Sequence, residues 1–218
     1  MNLKWGVIGA GSVAQRRAMP AINKAINAEL HALMSRDEVR AKHHTLEHLR
    51  FVRPDQIPRF KYYGIIAGPD NANCAKTAVN WYGEQYATWH QPIRSMVEGG
   101  VYVAHAADTH LTENGTTPWS NMWWEITRKC EDGQIYGDAS EAVDRITALK
   151  THTTWARKYL MREDLGFLKE GNLADFAVLD RDYFTIPVDD IPLVKVLLTV
   201  VGGKVSHQEM GFLDSRGE

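Results

Sequence analysis

Cysteine is scarce in this chain, basic clusters are missing, and no apolar run is long. The 218 residues hold only two cysteines, Cys74 and Cys130, far apart and in no CxxC. A disulfide framework is therefore not expected, and a reducing cytoplasm is the expected compartment. Lys and Arg number 25 against 27 Asp and Glu, a formal net charge of -2, and no dense Lys/Arg block occurs. Nucleic acid gains no electrostatic foothold from that pattern and is not expected as a partner. The longest apolar run, Leu193 to Val201, contains Lys195 and is too short to span a bilayer. No membrane partner is expected either. The opening residues MNLKWGVIGAGS lack the basic stretch and long apolar run of a signal peptide. Internal repeats and low-complexity segments are also missing. Apolar residues are plentiful at 44%, enough for a real core, which excludes a disordered chain. The length suits one large domain or two small ones.

The first forty residues have a readable order. Trp5 to Ile8 is a short apolar strand, and Gly9, Gly11 and Ala14 then form G-x-G-x-x-A. A helical stretch follows, with apolar residues at Val13, Met19, Ile22 and Ile26, and then a second strand from Glu29 to Met34. Strand, glycine turn, helix and strand make the context in which such a fingerprint binds a dinucleotide. Gly9 permits the tight turn, Gly11 lets a pyrophosphate approach the backbone, and Ala14 lets helix and strand pack closely. The helix N-terminus offers free N–H groups to phosphate. Ser35 and Arg36 after the second strand suit a 2′-phosphate, hence NADP. The bland alternative is a βαβ start that binds nothing. In these residues the segment resembles the glucose–fructose oxidoreductase and inositol dehydrogenase family (Gfo/Idh/MocA), through "GVIGAGSVAQRRAMPAI" and "MSRDEVRAK". The resemblance covers about residues 3–42. It implies an NAD(P)-binding oxidoreductase start without that family's later strands or its Glu-Lys-Pro motif.

From Thr45 the character changes. "TLEHLRFVRPDQIPRFKYYGIIAG" reads as a strand end, a loop with Pro54, an amphipathic helix and a strand from Tyr63 to Ala67. "QPIRSMVEGGVYVAHAADTH" repeats the plan, with a helix, Gly99-Gly100 and a strand from Val101 to Ala106. Alternating strands and helices imply βα units and a parallel sheet. Polar residues follow each strand: His48, then Asp70 and Asn71, then Asp108 and His110. In a barrel of such units the strand C-termini share the face where active sites sit. Towards the end, Ala174 to Leu179 and Val194 to Val201 read as strands. Gly202-Gly203 makes a hairpin turn into Lys204-Val205.

The segment from about Thr45 to His207 resembles the C-terminal half of amidohydrolase family 3. The phrases that carry it are "EHLRFVRPDQIPRF", "QPIRSMVEGGVYVAHAADTH", "EAVDRITALKTHTTWARKYLMRED", "GFLKEGNLADFAVLDRDYFTIPVDDI" and "VLLTVVGGKV". That family consists of metal-dependent hydrolases with a TIM barrel and a small β-sandwich. The resemblance implies that His48 matches the metal-ligating histidine of the fifth barrel strand. Asp108 matches the aspartate after the eighth strand, which binds metal and moves the proton of the attacking water. Zinc or another divalent ion is the implied cofactor, since zinc takes imidazole and carboxylate ligands and acidifies bound water. The implied substrate is a small molecule with an amide-type bond. Asn71 stands about where the family has a further histidine. The first four barrel strands and their His-x-His pair have no counterpart here, so the implied site is incomplete.

The expected fold is α/β: a partial (β/α) TIM-like barrel with a C-terminal β segment, preceded by a Rossmann-like βαβ unit. The expected divisions are 1–42 for the βαβ start, 43–165 for the half barrel, 166–210 for a small β domain and 211–218 for a tail. The leading reading is an amidohydrolase-type hydrolase, truncated and weakly active or inactive. Its open sheet edge should favour self-association. An NAD(P)-binding oxidoreductase and a non-catalytic fusion or remnant are the alternatives. The remaining histidines have plainer roles. His105 inside an apolar strand is expected to be a hydrogen-bonded core residue. His90 is expected at a helix start, on the surface or lining substrate. His110 is placed equally in a pocket lining or elsewhere, and His152 and His207 are expected to be structural or exposed. Trp119, Trp123 and Trp124 form either a substrate wall or packing over the barrel mouth.

Overall fold

The computed structural model describes residues 44–69, 75–106 and 117–212, together with two short strands, β1 (Leu3–Trp5) and β2 (Ala28–Leu30). β1 and β2 pair in parallel, Leu3 against Ala28. The residues between these strands, Gly9, Gly11 and Ala14 among them, lie outside the described residues, as does Arg36.

β3 (Thr45–Glu47) pairs in parallel with β4 (Ile66–Gly68), Leu46 opposite Ala67. On the other side of β4 runs the extended segment 101–106. Ala67 N–H donates to the Tyr102 carbonyl at 2.9 Å, and Ala104 N–H donates to the Ala67 carbonyl at 2.8 Å. Ala67 and Val103 form a parallel bridge. Three parallel segments therefore lie side by side with β4 central, and β4 is buried throughout. That burial is what a parallel strand covered on both faces requires. Among the described residues no closed barrel forms.

Between β3 and β4 the chain makes helix α1 (Ile57–Tyr63), which buries Ile57 and Phe60. The strand expected from Tyr63 begins three residues later than expected, because Tyr63 ends the helix. Gly64 takes the left-handed conformation, φ 62°, and its N–H caps the last turn. Ile65 N–H reaches back to the Phe60 carbonyl at 2.9 Å. A glycine at this position stops a helix because it alone adopts the left-handed turn without strain. Further on come α2 (Ala75–Tyr82), α3 (Glu84–Ala87) and α4 (Ile93–Glu98), which leads into segment 101–106.

α5 (Pro118–Thr127) and α6 (Arg145–His152) cover that segment. Each start is written locally. Thr117 and Ser120 exchange side-chain-to-backbone hydrogen bonds, with Pro118 at the first helical position. Asp144 accepts from Thr147 N–H at 2.7 Å. α7 (Ala156–Tyr159) is short. The chain ends in an antiparallel meander of β5 (Phe176–Leu179), β6 (Val196–Val201) and β7 (Lys204–Gln208). Gly202 and Gly203 both have positive φ, 56° and 77°, the pair of angles that a tight two-residue hairpin demands.

One apolar core joins these parts. It includes Val52, Phe60, Ile93, Met96, Val103, Met122, Trp124 and Ala148, and also Tyr183 and Ile191 from the C-terminal region. Arg145 ties the same regions together, since its guanidinium donates to the carbonyls of Tyr183 and Ile186. Cys130 is buried and disulfide-bonded, although two distant cysteines were not expected to give a disulfide framework. The other cysteine, Cys74, lies outside the described residues. No described helix is long and apolar enough to cross a membrane.

Candidate functional site

The parallel register brings the C-terminal ends of β3, β4 and segment 101–106 to one edge of the sheet. His48 sits there, directly after β3, exposed and at φ 52°. A non-glycine residue in the left-handed region is held by its surroundings and marks a place worth reading for function. Several contacts hold it. The preceding residue, Glu47, accepts a hydrogen bond from the Tyr159 hydroxyl through Oε1. The following residue, Leu49, donates its N–H to the Gly68 carbonyl at 3.2 Å. Gly68 leaves little room for a side chain, because a Cβ would stand 3.0 Å from the Leu46 carbonyl and 3.2 Å from Glu47 Oε2. The His48 turn is thus clamped onto the end of the neighbouring strand. Of the other residues expected at this edge, Asp108 lies outside the described residues, as do Asp70, Asn71 and His110.

A second constellation occupies the helix side of the sheet. His105, Glu125 and His152 come from segment 101–106, α5 and α6, and their ligand-type atoms all lie within 4.8 Å of one another. Glu125 is fully buried. Its Oε1 contacts His105 Nδ1, and both its carboxylate oxygens lie 3.1 Å from the Thr151 hydroxyl. His152 Nε2 stands 3.6 Å from Glu125 Oε1. The His105 and His152 rings stack at 5.3 Å with 20° between their planes. Burial alone would push the Glu125 carboxyl up, but the two imidazoles outweigh it and hold the group down at about 2. His105 is therefore the hydrogen-bonded core residue expected from its apolar surroundings. No sequence motif marks Glu125 or Thr151. The only local sign was an acid in the middle of the apolar stretch "MWWEI".

His90 departs from expectation. It does precede α4, but it is buried rather than on the surface, at 2% exposure. Its ring lies edge-on to Trp124, 6.0 Å away, and to Phe51, 5.7 Å away. The cause is Arg128, a buried cation that donates to the carbonyls of His90 and Gln91 at 3.0 and 3.1 Å. The Arg128 guanidinium lies 3.8 Å from the centre of the Trp124 ring. Burial, with help from Arg128 and Arg50, pushes the His90 imidazole down to about 3. Burial likewise lowers Arg128 to about 10, against the opposing pull of Glu141, Glu125 and Asp138. The tryptophans act in packing. Trp124 fills the space between His90 and His105, Trp123 donates to Asp189, and Trp119 meets Tyr183.

The sequence profile described as "Amidohydrolase family" matches residues 7–207. The chain belongs to that family. The match begins inside the glycine-rich segment, and the resemblance of residues 3–42 to the oxidoreductase family, with its NADP, finds no support. An N-substituted formamide deformylase of Arthrobacter pascens is 28% identical over 179 residues, which cover 76% of this chain and 31% of that protein. An uncharacterised metal-dependent hydrolase from Pyrococcus horikoshii is similar in fold, with a TM-score of 0.60 and 18% identity, over 87% of this chain and 36% of the other. An atrazine chlorohydrolase from Arthrobacter aurescens, solved with zinc, gives a TM-score of 0.56 and 20% identity over 77% and 37% of the two chains. The α/β fold of these hydrolases is thus shared. The amidohydrolase chain spans about a third of the length of these relatives.

Proposed function

We propose that this chain contributes to a metal-dependent hydrolase that cleaves an amide or related C–N bond in a small molecule. The observation that carries the reading is the position of His48, exposed and clamped at positive φ on the edge where three parallel segments end. Active sites of βα units are built at that edge.

The donor set suits the metal that the family implies. An imidazole at His48 and a carboxylate at Asp108 are both zinc-type ligands. When bound there, the ion would supply Lewis acidity and water of lowered pKa. The residues would do the rest. The Asp108 carboxylate accepts a proton from the water that attacks the acyl carbon. It then delivers that proton to the nitrogen as the C–N bond breaks. Catalytic zinc sites commonly have three protein ligands, and this reading assigns two, so weak metal retention and weak or absent turnover are expected of the chain alone.

N-substituted formamides are the first substrates to try, since a relative is described as acting on them. Formate release by the zinc-supplemented protein should fall to background in Asp108→Asn, whose amide cannot take the proton. His48→Ala should bind less zinc at this edge. Hydrolysis that survives intact in Asp108→Asn would refute the assignment.

A further inference from the structure

We propose that His105, Glu125 and His152 form a buried site for one divalent ion of the zinc type, between the sheet and helices α5 and α6. The ligand atoms are Nδ1 of His105, a carboxylate oxygen of Glu125 and Nε2 of His152, drawn together within 4.8 Å. Two nitrogens and one oxygen are the donors zinc prefers, and three protein ligands leave a position for solvent.

Two observations separate this cluster from an ordinary polar core. The first is the fully buried carboxylate of Glu125, which needs a positive charge beside it. The second is His152. Its side chain is only 9% exposed, and its Nε2 has no hydrogen-bond partner among the described residues. That nitrogen points at Glu125 Oε1 from 3.6 Å, too far for a hydrogen bond. Two ligands on one ion would stand about 3.4 Å apart, given ligand distances of roughly 2.1 Å. The His152–Glu125 separation of 3.6 Å is already close to that value. The short His105–Glu125 contact would open as the ion takes the place of the proton between them. Thr151 would hold the carboxylate in place through its hydroxyl, as outer-shell partners of metal ligands do.

The test uses the whole chain, stripped with a chelator and titrated with Zn(II) alone, then with Co(II) alone. Titration calorimetry should find one equivalent that His48→Ala retains. Co(II) at this equivalent should show the visible absorption of a four-coordinate N/O site. Affinity for it should drop at least tenfold in His152→Ala and be lost in Glu125→Gln. His152 lies at the margin of the core, so His152→Ala serves if Glu125→Gln fails to fold. Zinc should also raise the melting temperature of the wild type more than that of His152→Ala. Equal affinity in wild type and His152→Ala, or no equivalent surviving His48→Ala, would overturn the proposal. Neither result depends on hydrolysis, so failure here leaves the reading of the strand-end edge standing.

Discussion

Acid should destabilise this protein through His90, and the size of the effect follows from its burial. The ring is 2% exposed, and Nδ1 has no hydrogen-bond partner among the described residues. With the Arg128 guanidinium bound to its own carbonyl, a second positive charge is unwelcome. The imidazole is therefore pushed from its ordinary 6.5 down to about 3. An unfolded chain would protonate His90 below about pH 6.5, whereas the folded chain resists until about pH 3. Between those values the unfolded state binds more protons, so stability rises with pH and is lost as pH falls. At about 1.4 kcal/mol per pH unit, moving from pH 7 to pH 4 costs about 3 kcal/mol from this group alone. Carboxylates and other histidines titrate in the same window, so the quantity to measure is a difference. His90→Phe keeps an aromatic ring against Trp124 and Phe51 and removes the titrating nitrogen. Urea unfolding of wild type and His90→Phe at several pH values should show the variant gaining on the wild type by about 3 kcal/mol as pH drops to 4. A gap that stays constant with pH would refute the argument.

Two further substitutions test the packing. In Gly99→Ala, the new Cβ would lie 2.5 Å from Ile57 Cγ2 and 3.0 Å from the Ser95 carbonyl, so thermal melts should show a loss of about 1–3 kcal/mol. Arg145→Met removes charged donors from the Tyr183 and Ile186 carbonyls, and about 2–3 kcal/mol should go with them in denaturant unfolding.

Local features of the fold were legible in the sequence. Gly202-Gly203 announced its hairpin, because tight turns need positive φ and glycine supplies it. The alternation of strand and helix pointed to parallel segments, and the segments at 45–47, 66–68 and 101–106 are parallel neighbours. Ends of elements were less legible. Tyr63 and its neighbours suit a strand by side chain, yet the helix holds them until Gly64 turns the chain. Partnerships across long separations left no trace. His105, Glu125 and His152 lie 20 and 27 residues apart along the chain, and nothing in their neighbours says that they meet. The burial of His90 likewise depends on Arg128, 38 residues away.

Segment 101–106 connects the two constellations. Ala104 and Ala106 donate N–H groups to the strand beside them, to Ala67 at 2.8 Å and Pro69 at 3.0 Å. His105 N–H turns the other way and donates to the Thr151 carbonyl of α6 at 3.2 Å, while its ring meets Glu125 of α5. The segment is thus fixed from the sheet side and from the helix side at consecutive residues. Asp108 follows His105 by three residues. At so short a distance along the chain, whatever fixes His105 constrains where the segment leaves the sheet. A general acid–base group must be held within a fraction of an ångström to work. On the role proposed for Asp108, a core substitution at Thr151, which touches no reacting group, should therefore lower turnover through position. Such variants would lose turnover more than substrate binding, because a displaced proton acceptor costs rate while the rest of the pocket still holds its ligand.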